Sequence, residues 1–414
     1  MKSNRYLLFS LGSLFVFIVR LSAIGFPLDP YEYVFNGNGI TIMGYTGVGG
    51  DLVIPQKIDG YQVTAIGGLA FEANETLTSV IIPEGVTAIQ GFAFYQCINM
   101  MNVVIPDSVT SIEPAAFNSC SRLEHVSIPG GVASISISAF SGCSSLVEVI
   151  IANGVRDIGK AAFKDCYELI TLVMPESIST IGSKAFFGCS RLGGILIPDK
   201  VTFIEEGTFA ECSNLRKVRI PEGVTTISHF AFAKCSSLID VELSGKLTEI
   251  WKFAFTGCLS LERISIPDEV TFIDAKAFSD CSRLISVNFE GNAPRFGDEL
   301  FQNVADVTVY YLREMTGWAE TFGDRFTIEV LSFDGWGGYP VREDGFIDTG
   351  SWLGWLNQPD VNRDWLYVYL LSNWLYLPAV EANGGGWAYV PRGESSVILL
   401  ETDNWGGFPL VEGG

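Results

Sequence analysis

Nine cysteines stand at residues 97, 120, 143, 166, 189, 212, 235, 258 and 281, each 23 residues after the last. Cysteine supplies nucleophiles, metal ligands and disulfides. The histidines that would help it are scarce: His125 and His229 are the only two. A thiol nucleophile needs an adjacent base, and it needs one cysteine set apart from its siblings. None here is set apart. Zinc needs ligands that converge on a point, whereas a periodic series spreads them along a line. A disulfide needs converging Cβ atoms ~3.8 Å apart, but equivalent residues of stacked strands sit ~4.8 Å apart with parallel side chains. Nine thiols also cannot pair completely within one chain. The remaining reading is a buried ladder of small, weakly polar side chains. We therefore expect Cys97, Cys120, Cys143, Cys166, Cys189, Cys212, Cys235, Cys258 and Cys281 to be structural. Asn74 occupies the same register one unit earlier. No metal, cofactor or catalytic residue is expected.

The elements that carry this ladder repeat with it. Phenylalanine recurs at the same step from Phe71 to Phe301, in eleven registers, and leucine follows three residues after most of the cysteines. A fixed period of 20–29 residues with spaced leucines signals a solenoid of leucine-rich repeats. In "LVEVII" (146–151) Val149 and Ile151 are two apart and share one face of a strand. Proline closes most of these strands, as at Pro106, Pro129 and Pro198, because it cannot donate to a ladder. A second extended segment, V-T-x-I, follows in "VTSI" (109–112) and "VTFI" (201–204). The next "AF" is expected on a short helical turn. One unit exposes too much apolar surface to fold alone, and stacking buries it. The fold class expected is a β-rich leucine-rich-repeat solenoid of parallel strands and short helical turns. It has about eleven rungs and a small C-terminal β module. At ~4.8 Å per rung the stack would run roughly 50 Å.

The unit I-P-x-x-V-T-x-I-x-x-x-A-F-x-x-C-x-x-L-x-x-V resembles the BspA-type bacterial leucine-rich repeats over about residues 35–330. "GITIMGYTGVGGDLVIPQKIDGYQVTAIGGLAF" (39–71) is similar to the family's irregular first repeat, five residues longer than later units. "FEGNAPRFGDELF" and "VTVYYLREMTGW" resemble its closing cap. The resemblance implies a secreted or surface protein of the adhesion and protein-binding kind, not an enzyme. An Asn or Cys ladder position also belongs to that pattern.

Composition narrows the partners. With 26 Lys and Arg against 47 Asp and Glu, the chain carries −21. Such a surface repels phosphate backbones, which argues against nucleic acid. "MKSNRYLLFSLGSLFVFIVRLSAIG" opens with Lys2 and Arg5, continues with an apolar run of 14 residues from Tyr6 to Val19, and ends in small residues. It reads as a secretory signal peptide over 1–23, cut near Ala23, and the run is short for a membrane span. Its removal takes three cations and leaves −21 − 3 = −24. The expected destination is the cell surface or beyond, with no membrane span in the mature chain.

In L-x-x-V-x-I the x positions face outward on the sheet that solenoids present to partners. The column between V and I holds Ile81, Val104, Ser127, Ile150, Val173 and Leu196, then Arg219, Glu242, Ser265 and Asn288. Ile81, Val104, Ile150, Val173 and Leu196 form a candidate stripe for a protein partner. β-branched residues also pack well on any sheet, so a purely structural origin stays open. Arg216, Lys217 and Arg219 lie one strand before Asp240 and Glu242. They could hold an acidic partner or pair with each other across the strands.

The expected boundaries are 24–70 for the N-terminal cap and first repeat, 71–290 for the 23-residue repeats and 291–332 for the closing cap. Residues 333–414 differ from all of this. They lack cysteine and hold seven of the nine tryptophans. "WLGWLN", "DWLYVYLL", "NWLYLPA" and "GWAYVPR" read as short aromatic strands. This segment resembles tryptophan-rich tails of other secreted bacterial repeat proteins. Trp352, Trp355, Trp365, Trp374 and Trp387 could stack on sugar rings, which makes a polysaccharide the alternative partner. The same side chains could equally form the core of a small domain. "DVNRD" (360–364) starts like a calcium loop, but Trp365 and Leu371 stand where that loop needs glycine and a carboxylate.

Overall fold

The chain was analysed as a computed structural model. It describes residues 30–312 and 315–318, and elsewhere the backbone of Tyr6–Phe9, Phe17–Arg20, Thr327–Leu331 and six strands between Phe346 and Glu401. Two compact units divide it: 1–285 with 294–305, and 286–293 with 306–414.

The first unit is a solenoid of parallel strands. One sheet runs through Gly50–Val53, Leu77–Ile81, Asn102–Val104, His125–Ile128, Glu148–Ile151 and Thr171–Val173. The V-T-x-I segments build the second sheet, from Ala88–Ile89 through Thr180–Ile181, on the wider strands Ile40–Tyr45 and Tyr61–Ile66. Pairing keeps the 23-residue step, as in Val126↔Val149 and Ile112↔Ile135. Both sheets restart after a gap, with Gly194–Leu196 in the first and Phe203–Ile204 in the second. The first sheet is interrupted again between Asp240–Glu242 and Arg263–Ile266, where the second sheet continues. The first repeat adds a turn to the eleven phenylalanine registers, making about twelve.

The expected helical turns do not form, and no helix occurs among the described residues. The "AF" segment is instead a chain of tight turns with alternating hydrogen bonds. Within one rung, the amides of Ala93, Tyr95 and Cys97 donate to the carbonyls three residues back, Gln90, Phe92 and Phe94. Between them, the amides of Phe92, Phe94 and Gln96 donate to Pro114, Ala116 and Asn118 of the next rung at 2.8–3.1 Å. A helix keeps every bond inside its own segment; this backbone sends half of them to its neighbour. The geometry requires left-handed residues two before and two after each phenylalanine. All eleven registers show positive φ at both positions, from Leu69 and Ala73 to Glu299 and Asn303.

Eleven phenylalanines stack between the turns and the sheets. Ring centroids from Phe71 to Phe301 are 4.9–5.9 Å apart, with planes within 25° of parallel. The leucines at 77, 123, 146, 169, 192, 215, 238, 261 and 284 complete the buried core.

The second unit contains a parallel set, Ser286–Phe289, Thr308–Leu312 and Thr327–Leu331. Trp318 is buried there against Phe289 at 4.7 Å and stacks on Tyr311 at 4.9 Å, and its indole N–H donates to the Gly291 carbonyl. The six later strands pair antiparallel in sequence order, from Phe346–Asp348 to Ser396–Glu401. Trp352 lies outside the described residues, as do the side chains of Trp355, Trp365, Trp374 and Trp387. The signal-peptide reading of 1–23 falls outside them too, apart from the backbone of two short paired strands. Among the described residues no helix is long and apolar enough to cross a membrane.

Candidate functional site

The candidate site is the outward face of the first sheet. Strand alternation builds it: Val126, Val149 and Val218 point into the core, and the residues beside them point out. Ile81, Val104, Ile150 and Val173 are 41–52% exposed. Ile81 pairs directly with Val104, and Ile150 with Val173. Val53, 64% exposed, pairs with Ile81 and extends the stripe by one strand. Ser127 stands between the two apolar pairs, in register with Ile150. Leu196 is 88% exposed but has no ladder partner in Val173, because the sheet is interrupted between their strands. The structure thus joins Val53, Ile81 and Val104, and separately Ile150 and Val173, and sets Leu196 apart.

The charged patch lies beyond the interruption. Lys217 meets Asp240 at 3.0 Å, and Arg219 lies 3.7 Å from Asp199 and 4.0 Å from Glu242. The pairs of Lys217 with Asp240 and of Arg219 with Glu242 are cross-strand and in register, and Asp199 reaches Arg219 from a turn. They are exposed, so each is worth at most about 1 kcal/mol. Arg216 is exposed beside them.

Every cysteine is buried and unpaired with any other. Each thiol donates to the carbonyl of the phenylalanine 26 residues earlier, from Cys97 to Phe71 at 3.0 Å through Cys281 to Phe255 at 3.2 Å. Each of these carbonyls already accepts the amide three residues on, so the thiol of the next rung adds a second donor to a buried acceptor. Burial pushes the Cys143 and Cys212 thiols up to about 12 and raises Cys120, Cys166, Cys189, Cys235 and Cys258 well above the usual range. Such thiols stay protonated at neutral pH and are poor nucleophiles. Asn74 keeps the register but not the bond. It is half-buried, and its side-chain oxygen accepts from the amide and hydroxyl of Thr76. A thiol reagent should find no reactive cysteine in the folded protein and nine in denaturant. Rapid labelling of the folded chain would contradict the ladder.

Neither histidine sits in a catalytic constellation. His125 faces Glu148 at 3.6 Å on the exposed sheet, and His229 meets the Trp251 ring edge-on at 5.0 Å. Among the described residues no three His, Cys, Asp or Glu side chains gather as a metal site. The sequence reading missed a surface cluster on the later rungs. Phe230 and Phe253 stack at 4.9 Å, Lys252 covers Phe253 at 5.1 Å, and Arg295 covers Phe272 at 4.5 Å. These aromatic faces are already occupied by the chain's own cations. The signal was Trp251, in a slot that other units fill with small or polar side chains, beside aromatic residues at 230, 253 and 272.

The repeat geometry meets a family profile over residues 64–193 and 181–308, described as a BspA type leucine rich repeat region, in six copies. The chain belongs to this family. Among solved structures the chain is similar to a leucine-rich repeat protein from Bacteroides ovatus, 24% identical, covering 74% of this chain and 99% of the other at a TM-score of 0.39. A leucine rich cell surface protein from Faecalibacterium prausnitzii is 29% identical, with 64% and 89% covered and a TM-score of 0.40. The T. pallidum leucine-rich repeat protein is 26% identical, with 57% and 90% covered and a TM-score of 0.34. No curated protein matches the chain.

Proposed function

We propose that this BspA-type protein is secreted or displayed at the cell surface and binds a protein partner without catalysis. The partner would lie on the outward face of the first sheet, over Val53, Ile81, Val104, Ile150 and Val173. The observation that carries this is two groups of in-register exposed aliphatic side chains, Val53 with Ile81 and Val104, and Ile150 with Val173, on either side of Ser127, on a backbone fixed by ladders and stacked rings. A rigid surface costs little conformational entropy on binding, and contiguous exposed apolar area marks interaction sites. The apolar N-terminal segment with its basic start supports export.

The test is capture from surface extracts with the full chain and with a variant carrying Ile150→Asp and Val173→Asp. The variant should keep its circular dichroism, with a midpoint lowered modestly because two carboxylates then face each other across the ladder, and should lose the captured protein. Equal capture by both would sink the stripe as the site. The concentration of tryptophan in 336–405 supports a second reading, glycan binding through the C-terminal segment. Polysaccharide retention that survives the double variant and disappears when the chain stops at 332 would move the function there.

A further inference from the structure

The outward stripe repeats at the ladder spacing, and that spacing selects what fits along it. The first sheet is unbroken from Gly50–Val53 to Thr171–Val173, six strands in all. Its outward column reads Val53, Ile81, Val104, Ser127, Ile150 and Val173. Val53, Ile81 and Val104 pair in turn, as do Ser127, Ile150 and Val173, and Asn102 with His125 carries the register across the middle. Neighbouring strands lie ~4.8 Å apart, so the column spans roughly 24 Å. A partner lying along it must present a side chain at nearly every step. An extended strand presents one face every ~6.7 Å and would end roughly 10 Å out of step. A polyproline II segment faces one side every ~9.3 Å and would leave alternate anchors bare. The seam of an amphipathic helix recurs every ~5.25 Å and drifts by only about 2 Å over the same length. With seam positions at i, i+3, i+7, i+10, i+14 and i+17, the exposed Ser127 falls opposite i+10.

Charge sets the flanks. The six strand segments with the residues that follow them are 50–56, 77–84, 100–107, 123–130, 146–153 and 169–176. They hold six carboxylates and no lysine or arginine. Asp51 accepts from the hydroxyls of Thr78 and Ser79, and Glu148 faces His125. Glu84, Asp107, Glu124 and Glu176 are exposed and have no cationic partner among the described residues. Past the interruption, the equivalent segment 215–222 carries Arg216, Lys217 and Arg219, and Arg219 takes the column position. The apolar column and its cation-free flanks therefore give way together. A residue two or three places from the column along its strand lies ~7–10 Å away. Lysine or arginine on the sides of a helix ~10 Å across reaches that far.

We propose that the partner segment is a cationic amphipathic helix of about 18 residues, laid across the strands. Its apolar seam covers Val53, Ile81, Val104, Ile150 and Val173. A polar seam residue stands over Ser127, and lysine or arginine lies beside the carboxylates. The inference rests on the outward stripe being the partner site, and it adds the class of the partner.

The experiment measures binding of a labelled synthetic peptide to the full chain by fluorescence anisotropy. The peptide carries leucine along the seam, glutamine as its fourth seam residue and lysine on both flanks. It should bind, and its helical circular dichroism should rise on binding. A peptide of the same composition with its leucines on alternate residues should bind at least about ten-fold more weakly. Glutamate in place of lysine should cost a similar factor, and so should raising the salt from about 0.1 M to about 1 M. Glu84→Lys with Asp107→Lys should weaken the lysine peptide by about ten-fold, with unchanged circular dichroism of the protein. Ser127→Leu should reverse the preference, favouring leucine over glutamine as the fourth seam residue. Binding undiminished by Ile150→Asp with Val173→Asp would overturn the inference, as would equal binding of the helical and alternating peptides. The two readings fail separately. If that double variant loses the protein captured from surface extracts but the helical peptide is no better than the alternating one, the stripe stands and the helix falls. Equal capture by the two chains removes the stripe, and the helix with it.

Discussion

Replacing Phe163 by alanine should destabilise the solenoid by about 3–5 kcal/mol, the cost of emptying a large buried aromatic site. Phe163 is fully buried and stacks on Phe140 at 5.5 Å and on Phe186 at 5.6 Å, with planes 6° and 2° from parallel. Its removal strips one face from each neighbour, and aromatic pairs add about 0.5–1.5 kcal/mol beyond their buried area. The site cannot collapse easily. The flanking turns are fixed by hydrogen bonds from the Phe163 amide to Ala185 and from Phe140 to Ala162, at 2.9 and 2.8 Å.

The architecture shapes how the loss appears. A solenoid is stabilised by nearest-neighbour interfaces, so a mid-stack cavity uncouples the rungs on either side. Unfolding of Phe163→Ala in guanidinium, followed by circular dichroism, should begin earlier and broaden into two phases. Phe163→Leu fills most of the volume and should fall well short of the alanine loss. An alanine variant no less stable than the leucine one would show that the ring column is not what couples the rungs.

The column, the buried thiols and the outward side of each strand followed from a period of 23 and the alternation of strands. Three features did not. Val53 pairs with Ile81 across 28 residues rather than 23, so counting from the later units passes over it. The rung interruption leaves the 23-residue period intact, so the period does not report it. The third is the turn segment, where a short helical turn is expected for "AF" and none forms. The contrary signal was present in the sequence. None of the 22 residues two before or two after a column phenylalanine is valine, isoleucine, threonine or proline. Four are glycine, at 142, 188, 207 and 257. That exclusion is the mark of left-handed backbone, where β-branched side chains are rare outliers and proline cannot go.

Gln96 gives this inference its cleanest test. It is exposed, its φ is 58°, and its amide donates to Asn118 at 2.9 Å in the next rung. An exposed substitution away from special features changes stability by less than about 0.5 kcal/mol. Gln96→Val should nevertheless cost about 1–3 kcal/mol, because a branched Cβ strains the left-handed conformation. Gln96→Gly removes that strain but gives the unfolded chain more freedom, and these effects offset to within about 1 kcal/mol. Asn102 is the counterpart on the sheet, exposed and paired with Ser79 and His125. There valine suits the extended backbone, so Asn102→Val should be neutral or stabilising. The same residue type should therefore act in opposite directions at two exposed sites of adjacent rungs. Equal midpoints for Gln96→Val and Asn102→Val would mean that the turn column relaxes out of the left-handed region. The alternating hydrogen bonds that replace a helix would then not be fixed by backbone sterics.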